Sequence, residues 1–346
     1  MNKRLAIIIT LGALALFAPI LFPAYKNQLA MLWVMVIFAL TWDIMGGQMG
    51  YNSFGNIVFF GTGMYVSAVV QRDLFFTIEE YETIAGSLEA ISANQYMTGL
   101  FLGLALAAVI CVILAAILGS GILALRGHYF AICSLGLGIT AAELAAATDY
   151  IGAGSGLVTP VYPAHELGDR GYFFYYYFFA LAIATFTFLK WLYEGRFGLA
   201  INAIRDDEDK AEAMGIHTTR YKTVAWCISA FFLALTGGAL GNLIGFIEPS
   251  EVAYAGATFG VWMVLMAILG GKGTIWGPVI GAIVFHVMQE LFWTYLLGWQ
   301  RVALGLLIVC IVVFFPEGIM GYIKERWPEK LGQEVDKDTT REGAQT

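Results

Sequence analysis

Runs of about 20 apolar residues, each ended by glycine, proline or charge, recur along almost the whole chain, the length a helix needs to span a bilayer core. They predict helices near 5–22, 28–46, 55–71, 97–118, 129–146, 171–193, 223–245, 258–270, 277–296 and 301–316. The pattern therefore predicts an all-α, polytopic membrane bundle of about ten transmembrane segments. The third, fifth and eighth are short or interrupted by glycine. Such breaks survive at membrane depth only against protein or a water-filled cavity, so they are candidate walls of a pathway.

Composition agrees with the pattern. The chain of 346 residues is 59% hydrophobic and 13% charged, against about 25% charged residues in soluble domains. No basic patch with interleaved aromatics is present, which argues against a nucleic-acid partner. Cys111, Cys133, Cys227 and Cys310 lie inside apolar runs without metal or disulfide-exchange spacing, and the four histidines are scattered. No Ser-His-Asp set or other catalytic constellation stands out, so the chain reads as a non-enzyme without a cofactor of its own.

The distribution of Lys and Arg predicts the orientation. Lys3, Arg4, Arg126, the group Arg196, Arg205, Lys210, Arg220 and Lys222, then Lys272 and the basic residues after 323 fall on one side. That side is expected to be cytoplasmic, with both termini on it. The opposite loops, 72–96 and 147–170, are acidic. Lys3 and Arg4 before an apolar stretch also resemble a signal peptide, but the stretch is long for one and is expected to be retained. Residues 1–316 are read as the membrane domain, and 317–346 as a polar cytoplasmic tail whose last dozen residues are expected to be disordered.

Several features carry candidate chemistry. Segment 194–222 is too polar to cross a membrane. Leu199, Ile201 and Ile204, then Ala211, Met214 and Ile216, give two short amphipathic stretches separated by Asp206, Asp207, Glu208 and Asp209, which predicts two small helices that either merely connect or dock a soluble partner. The segment GGKGTIWGPVIGA at 270–282 lacks the spacing of a phosphate loop, and its glycines instead permit a tight turn and close helix approach. In GQMGYNSFGN at 47–56, a helix starting near Ser53 would aim free N–H groups inward, or would simply be a capped turn. Asp43, Glu143 and Glu290 are the carboxylates within apolar spans, where insertion costs about 2.5–3.5 kcal/mol each; Glu143 is taken as a pathway or structural group. The aromatic run 171–179 reads as an interfacial belt.

Four segments together resemble the LivM-type branched-chain amino acid permeases of bacterial ABC importers: RGHYFAICSLGLGITAAE (126–143), GLAINAIRDDEDKAEAMGI (198–216), LGGKGTIWGPVIGA (269–282) and, more weakly, GxxGxxSFG (47–55). The resemblance runs from about residue 30 to 316. It implies a multi-pass protein of the bacterial inner membrane working with a second, LivH-like permease, two cytoplasmic ATPases that bind ATP, and a periplasmic substrate-binding protein. It also implies that Arg205, Asp206, Ala211, Glu212, Ala213, Met214, Gly215 and Ile216 belong to the element that couples to an ATPase. Ser53 and Gly55 match the family's pathway motif, and with Asn56 and Glu143 they are the expected pathway residues. Asn56 stands where the family commonly has His, and Asp43 where Asn is common. Related permeases also carry urea, short amides or other amino acids.

Overall fold

The computed structural model describes residues 12, 14–75, 92–296, 298–299, 302–306, 309, 313 and 318–326. Its helices are α1 (Lys26–Gly46), α2 (Asn56–Phe75), α3 (Ala93–Ile122), α4 (His128–Ala146), α5 (Arg170–Glu194), α6 (Arg196–Asp206), α7 (Glu208–Ala213), α8 (Thr218–Ile244), α9 (Val261–Gly270), α10 (Gly277–Tyr295) and α11 (Gly318–Arg326). Two-residue strands β1 (Leu157–Val158) and β2 (Phe246–Ile247) pair antiparallel. Six stretches among the described residues are long and apolar enough to cross a membrane: Pro23–Gly46, α3, α4, α5, α8 and Pro249–Gly270. The predicted segments at 55–71 and 277–296 form α2 and α10. Most of loop 72–96, parts of the first and tenth predicted segments, and the tail beyond 326 lie outside the described residues.

Helices that are apolar all round belong in the interior of a bundle. In a bilayer such a surface can equally face lipid, so apolarity does not set burial here: α1 and α8 are 78% and 72% buried over their apolar windows, but α3, the most apolar, is 39% buried and α4 22%. α8 packs along α2 and α3, and α1 along α5 and α10. Close approach of α2 and α8 depends on Gly237, where a Cβ would collide with the Phe60 carbonyl, and on Gly63, which faces the backbone of Ala234. The periphery is aliphatic: Phe101, Val109, Ile113 and Ile117 of α3 and Ile132, Ile139 and Leu144 of α4 are exposed, as lipid-facing positions should be.

The predicted helix at 258–270 is regular only from Val261. Two π-helical turns, Pro249–Ala253 and Gly256–Gly260, precede it and pack against α2 and α4. Wide turns of this kind are uncommon. α11 opens the predicted tail and packs on α9 and α10.

Candidate functional site

Residues 47–55 join α1 to α2 and are held from three sides. The Ser53 hydroxyl donates to Asn56 Oδ1 (2.9 Å), which also accepts from the Trp226 indole of α8 (3.0 Å). The Trp42 indole of α1 donates to the Ser53 carbonyl (2.8 Å), and the Ser134 hydroxyl of α4 accepts from the Phe54 N–H (3.0 Å). Gly55 is packed so that a Cβ would lie 3.2 Å from the Ser134 carbonyl and 3.3 Å from the Trp226 ring. Ser53, Gly55 and Asn56 are thus brought together at the start of α2, which begins at Asn56 rather than near Ser53. The Asn56 amide nitrogen is buried without a partner among the described residues. Trp42, Ser134 and Trp226 complete this cluster, and nothing in their spacing announces it.

Glu143 is not part of the cluster. It stands exposed on the outer face of α4. Asp43 lies in the last turn of α1 and is fully buried, and its carboxylate accepts from the Gly273 N–H (2.8 Å) and the Gln48 amide (3.5 Å). Glu290 is half-buried.

Segment 194–222 forms the two predicted helices, α6 and α7. Asp207 caps α7 by accepting from the Lys210 N–H (3.0 Å). Gly215 turns the chain out of it with φ 87°, a conformation that strains any residue with a Cβ. Ile201, Ile204 and Ala211 are buried, but Leu199 and Met214, expected on the same apolar faces, are 72% and 83% exposed. Met214 follows the last helical residue, Ala213, so helical periodicity no longer governs where it points. Glu212, Ala213 and Gly215 are also exposed, as are Arg205 and Asp206, while Ile216 is half-buried. An open cleft of about 420 Å³ lies beside them, lined by Glu212, Gly215–Thr219 and Arg220.

The acidic run is paired within the chain. Asp206 meets Arg205 (3.2 Å), Asp207 meets Lys210 (2.9 Å), and Arg126 reaches Asp209 (2.5 Å) and Glu212 (3.3 Å). Glu208 bonds Lys222 of α8 (2.7 Å) and, through its other oxygen, the Tyr51 hydroxyl. Burial alone raises the Glu208 carboxyl, but the hydrogen bonds from Lys222 and Tyr51 outweigh it and leave the group below the ordinary glutamate value. Burial, then the bond to Glu208, pushes the Tyr51 phenol up.

Four sequence segments therefore converge at one end of the bundle. Gly50 sits 3.2 Å, measured from an added Cβ, from the Arg205 side chain of α6; Gly273 reaches Asp43; Arg126 reaches α7; Ser134 reaches Phe54.

This architecture is that of a multi-pass helical membrane protein, with its polar motifs gathered where α6 and α7 rest on the bundle. The chain belongs to the family described as "Branched-chain amino acid transport system / permease component", which matches residues 24–312. It is 24% identical over 336 residues to the high-affinity branched-chain amino acid transport system permease protein LivM of Salmonella typhimurium, covering 89% of this chain and 78% of that one. LivH of the same organism is 32% identical over 127 residues, 36% of this chain and 40% of LivH. The fructose import permease protein FrcC of Rhizobium meliloti is 29% identical over 126 residues, 34% of this chain and 33% of FrcC. No solved structure matches the chain.

Proposed function

We propose that this chain is the LivM-like permease subunit of an ATP-driven importer that carries leucine, isoleucine and valine across the bacterial inner membrane. Its partners are a LivH-like permease, two cytoplasmic ATPases that bind the ATP, and a periplasmic substrate-binding protein; the chain itself holds no cofactor. It crosses the membrane about ten times with both termini in the cytosol. Residues 1–316 form the membrane domain and 317–346 the tail, which starts with α11.

The observation that carries this reading is the pair Leu199 and Met214, large apolar side chains left 72% and 83% exposed on the polar segment. An exposed apolar anchor beside an open cleft fits a protein partner better than solvent. Arg205, Asp206 and Ala211–Ile216 then form the docking element. Closure of the ATPases moves it and rocks the bundle between outward-facing and inward-facing states. Ser53, Gly55 and Asn56 mark the passage on the inner side of α4, and Glu143, on the outer face of α4, acts on the pathway from the side where the second permease would pack. The branched aliphatic substrate needs an apolar passage with few polar anchors.

The test is Met214→Asp in the complex purified from cells. Because the side chain is exposed, the fold is expected to survive, while the ATPases no longer co-purify and uptake is lost. Full uptake with bound ATPases would refute the docking role. Uptake by this chain alone under an ion gradient would identify a secondary transporter instead.

A further inference from the structure

We propose that Glu208, Tyr51 and Lys222 form the linkage that carries movement of α7 into the loop at the start of α2, which makes them positioning residues for transport. The inference rests on Arg205, Asp206 and Ala211–Ile216 being the docking element, and it names the route by which its motion enters the bundle through Glu208, at the other end of α7.

Lys222 lies in the second turn of α8 with its side chain only 1% exposed. A buried ammonium persists only where its partners compensate for lost water. It has two. Glu208 Oε1 accepts from it at 2.7 Å, and the Tyr51 oxygen accepts at 3.2 Å while the Tyr51 ring lies 4.5 Å from the nitrogen. Glu208 uses its second oxygen on the Tyr51 hydroxyl. The three groups come from α7, the 47–55 loop and α8, and each bonds the other two, with Arg126 adding a longer contact to Glu208 (3.7 Å). None can be displaced without stranding a buried polar group, so they are constrained to move together.

Tyr51 continues the route. Its ring packs edge-on against Phe130 of α4 at 5.6 Å. Two residues further on, Ser53 is fixed to Trp42 and Asn56. A shift of Glu208 therefore reaches α4 and the first residue of α2 through short, buried contacts. The other ion pairs of α7 are poor candidates for this task. Arg126 is 49% exposed; besides its longer 3.7 Å contact to Glu208, its partners Asp209 and Glu212 are 81% and 47% exposed. Such pairs are weak and screened.

The experiment compares Tyr51→Phe and Glu208→Gln with the parent in the complete complex, reconstituted in proteoliposomes with substrate-loaded binding protein. Tyr51→Phe keeps the ring against Phe130 and Lys222 but removes the hydroxyl that meets Glu208. The linkage predicts that the ATPases still co-purify in parental ratio, that basal ATP hydrolysis persists, and that stimulation by binding protein and uptake fall at least about tenfold, as expected for a lost coupling energy. Uptake and stimulation within about twofold of parent in both variants would overturn it. Loss of co-purification would also overturn it, because the residues would then act in docking. Should Glu208→Gln not fold, Glu208→Gln with Lys222→Met removes both charges together and carries the same expectation. Failure of the docking reading itself shows separately, as full activity of Met214→Asp.

Discussion

The Asp43 carboxylate accepts a hydrogen bond from the Gly273 backbone N–H at 2.8 Å, joining two positions 230 residues apart. It fastens the last turn of α1 to the glycine-rich turn between α9 and α10. Losing the acceptor leaves that N–H unsatisfied, so Asp43→Ala is expected to cost about 1–3 kcal/mol. Asp43→Asn keeps an acceptor oxygen and should be milder. Thermal denaturation in detergent, comparing the two variants with the parent, checks the order.

Helix contact at Gly237 makes a second prediction. An added methyl would meet the Phe60 carbonyl of α2, which is backbone and cannot rotate away. Gly237→Ala should therefore destabilise by about 1–3 kcal/mol through overpacking. The same substitution at Gly136, which has open space around it, leaves the contact untouched. Melting temperature and the monodisperse fraction distinguish the two.

The Glu208 contacts predict a pH dependence. Its carboxyl is held below the ordinary value of 4.5 in the folded protein. The stabilisation is fully present above the unfolded value and is lost as pH falls through the lower, folded value. The difference in melting temperature between parent and Glu208→Gln should thus stay constant from neutral pH down to that ordinary value and shrink only below it. A difference that disappeared above it would show that the carboxylate is not held by Lys222 and Tyr51.

Glu143 is exposed on α4, so Glu143→Gln should change stability by no more than about 0.5 kcal/mol. The proposed pathway role predicts that the same substitution nevertheless lowers ATP-driven uptake. Unchanged uptake in proteoliposomes would remove it from the passage.

Most helix positions were legible because membrane insertion writes them into long apolar runs: the segment predicted at 28–46 is Lys26–Gly46, and that at 171–193 is Arg170–Glu194. The start of α8 was not. Predicted from 223, α8 begins at Thr218, and Lys222 within it is buried against Glu208 and Tyr51, the latter 171 positions away. Pairings of that range leave no periodic signal. The two small helices on 194–222 followed from local amphipathicity, whereas the outward turn of Leu199 and Met214 did not. Ser53, Gly55 and Asn56 were identified from a motif, but the Trp42, Ser134 and Trp226 groups that hold them come from three other helices.

Docking of the 194–222 segment in the cytosol is tested most directly at Met214, since Ala211 is buried and Met214 is 83% exposed. In a background lacking Cys111, Cys133, Cys227 and Cys310, Met214→Cys should react with a membrane-impermeant maleimide in inside-out vesicles, not in right-side-out ones, and bound ATPases should shield it. Labelling from the periplasmic face, or labelling indifferent to the ATPases, would contradict the account.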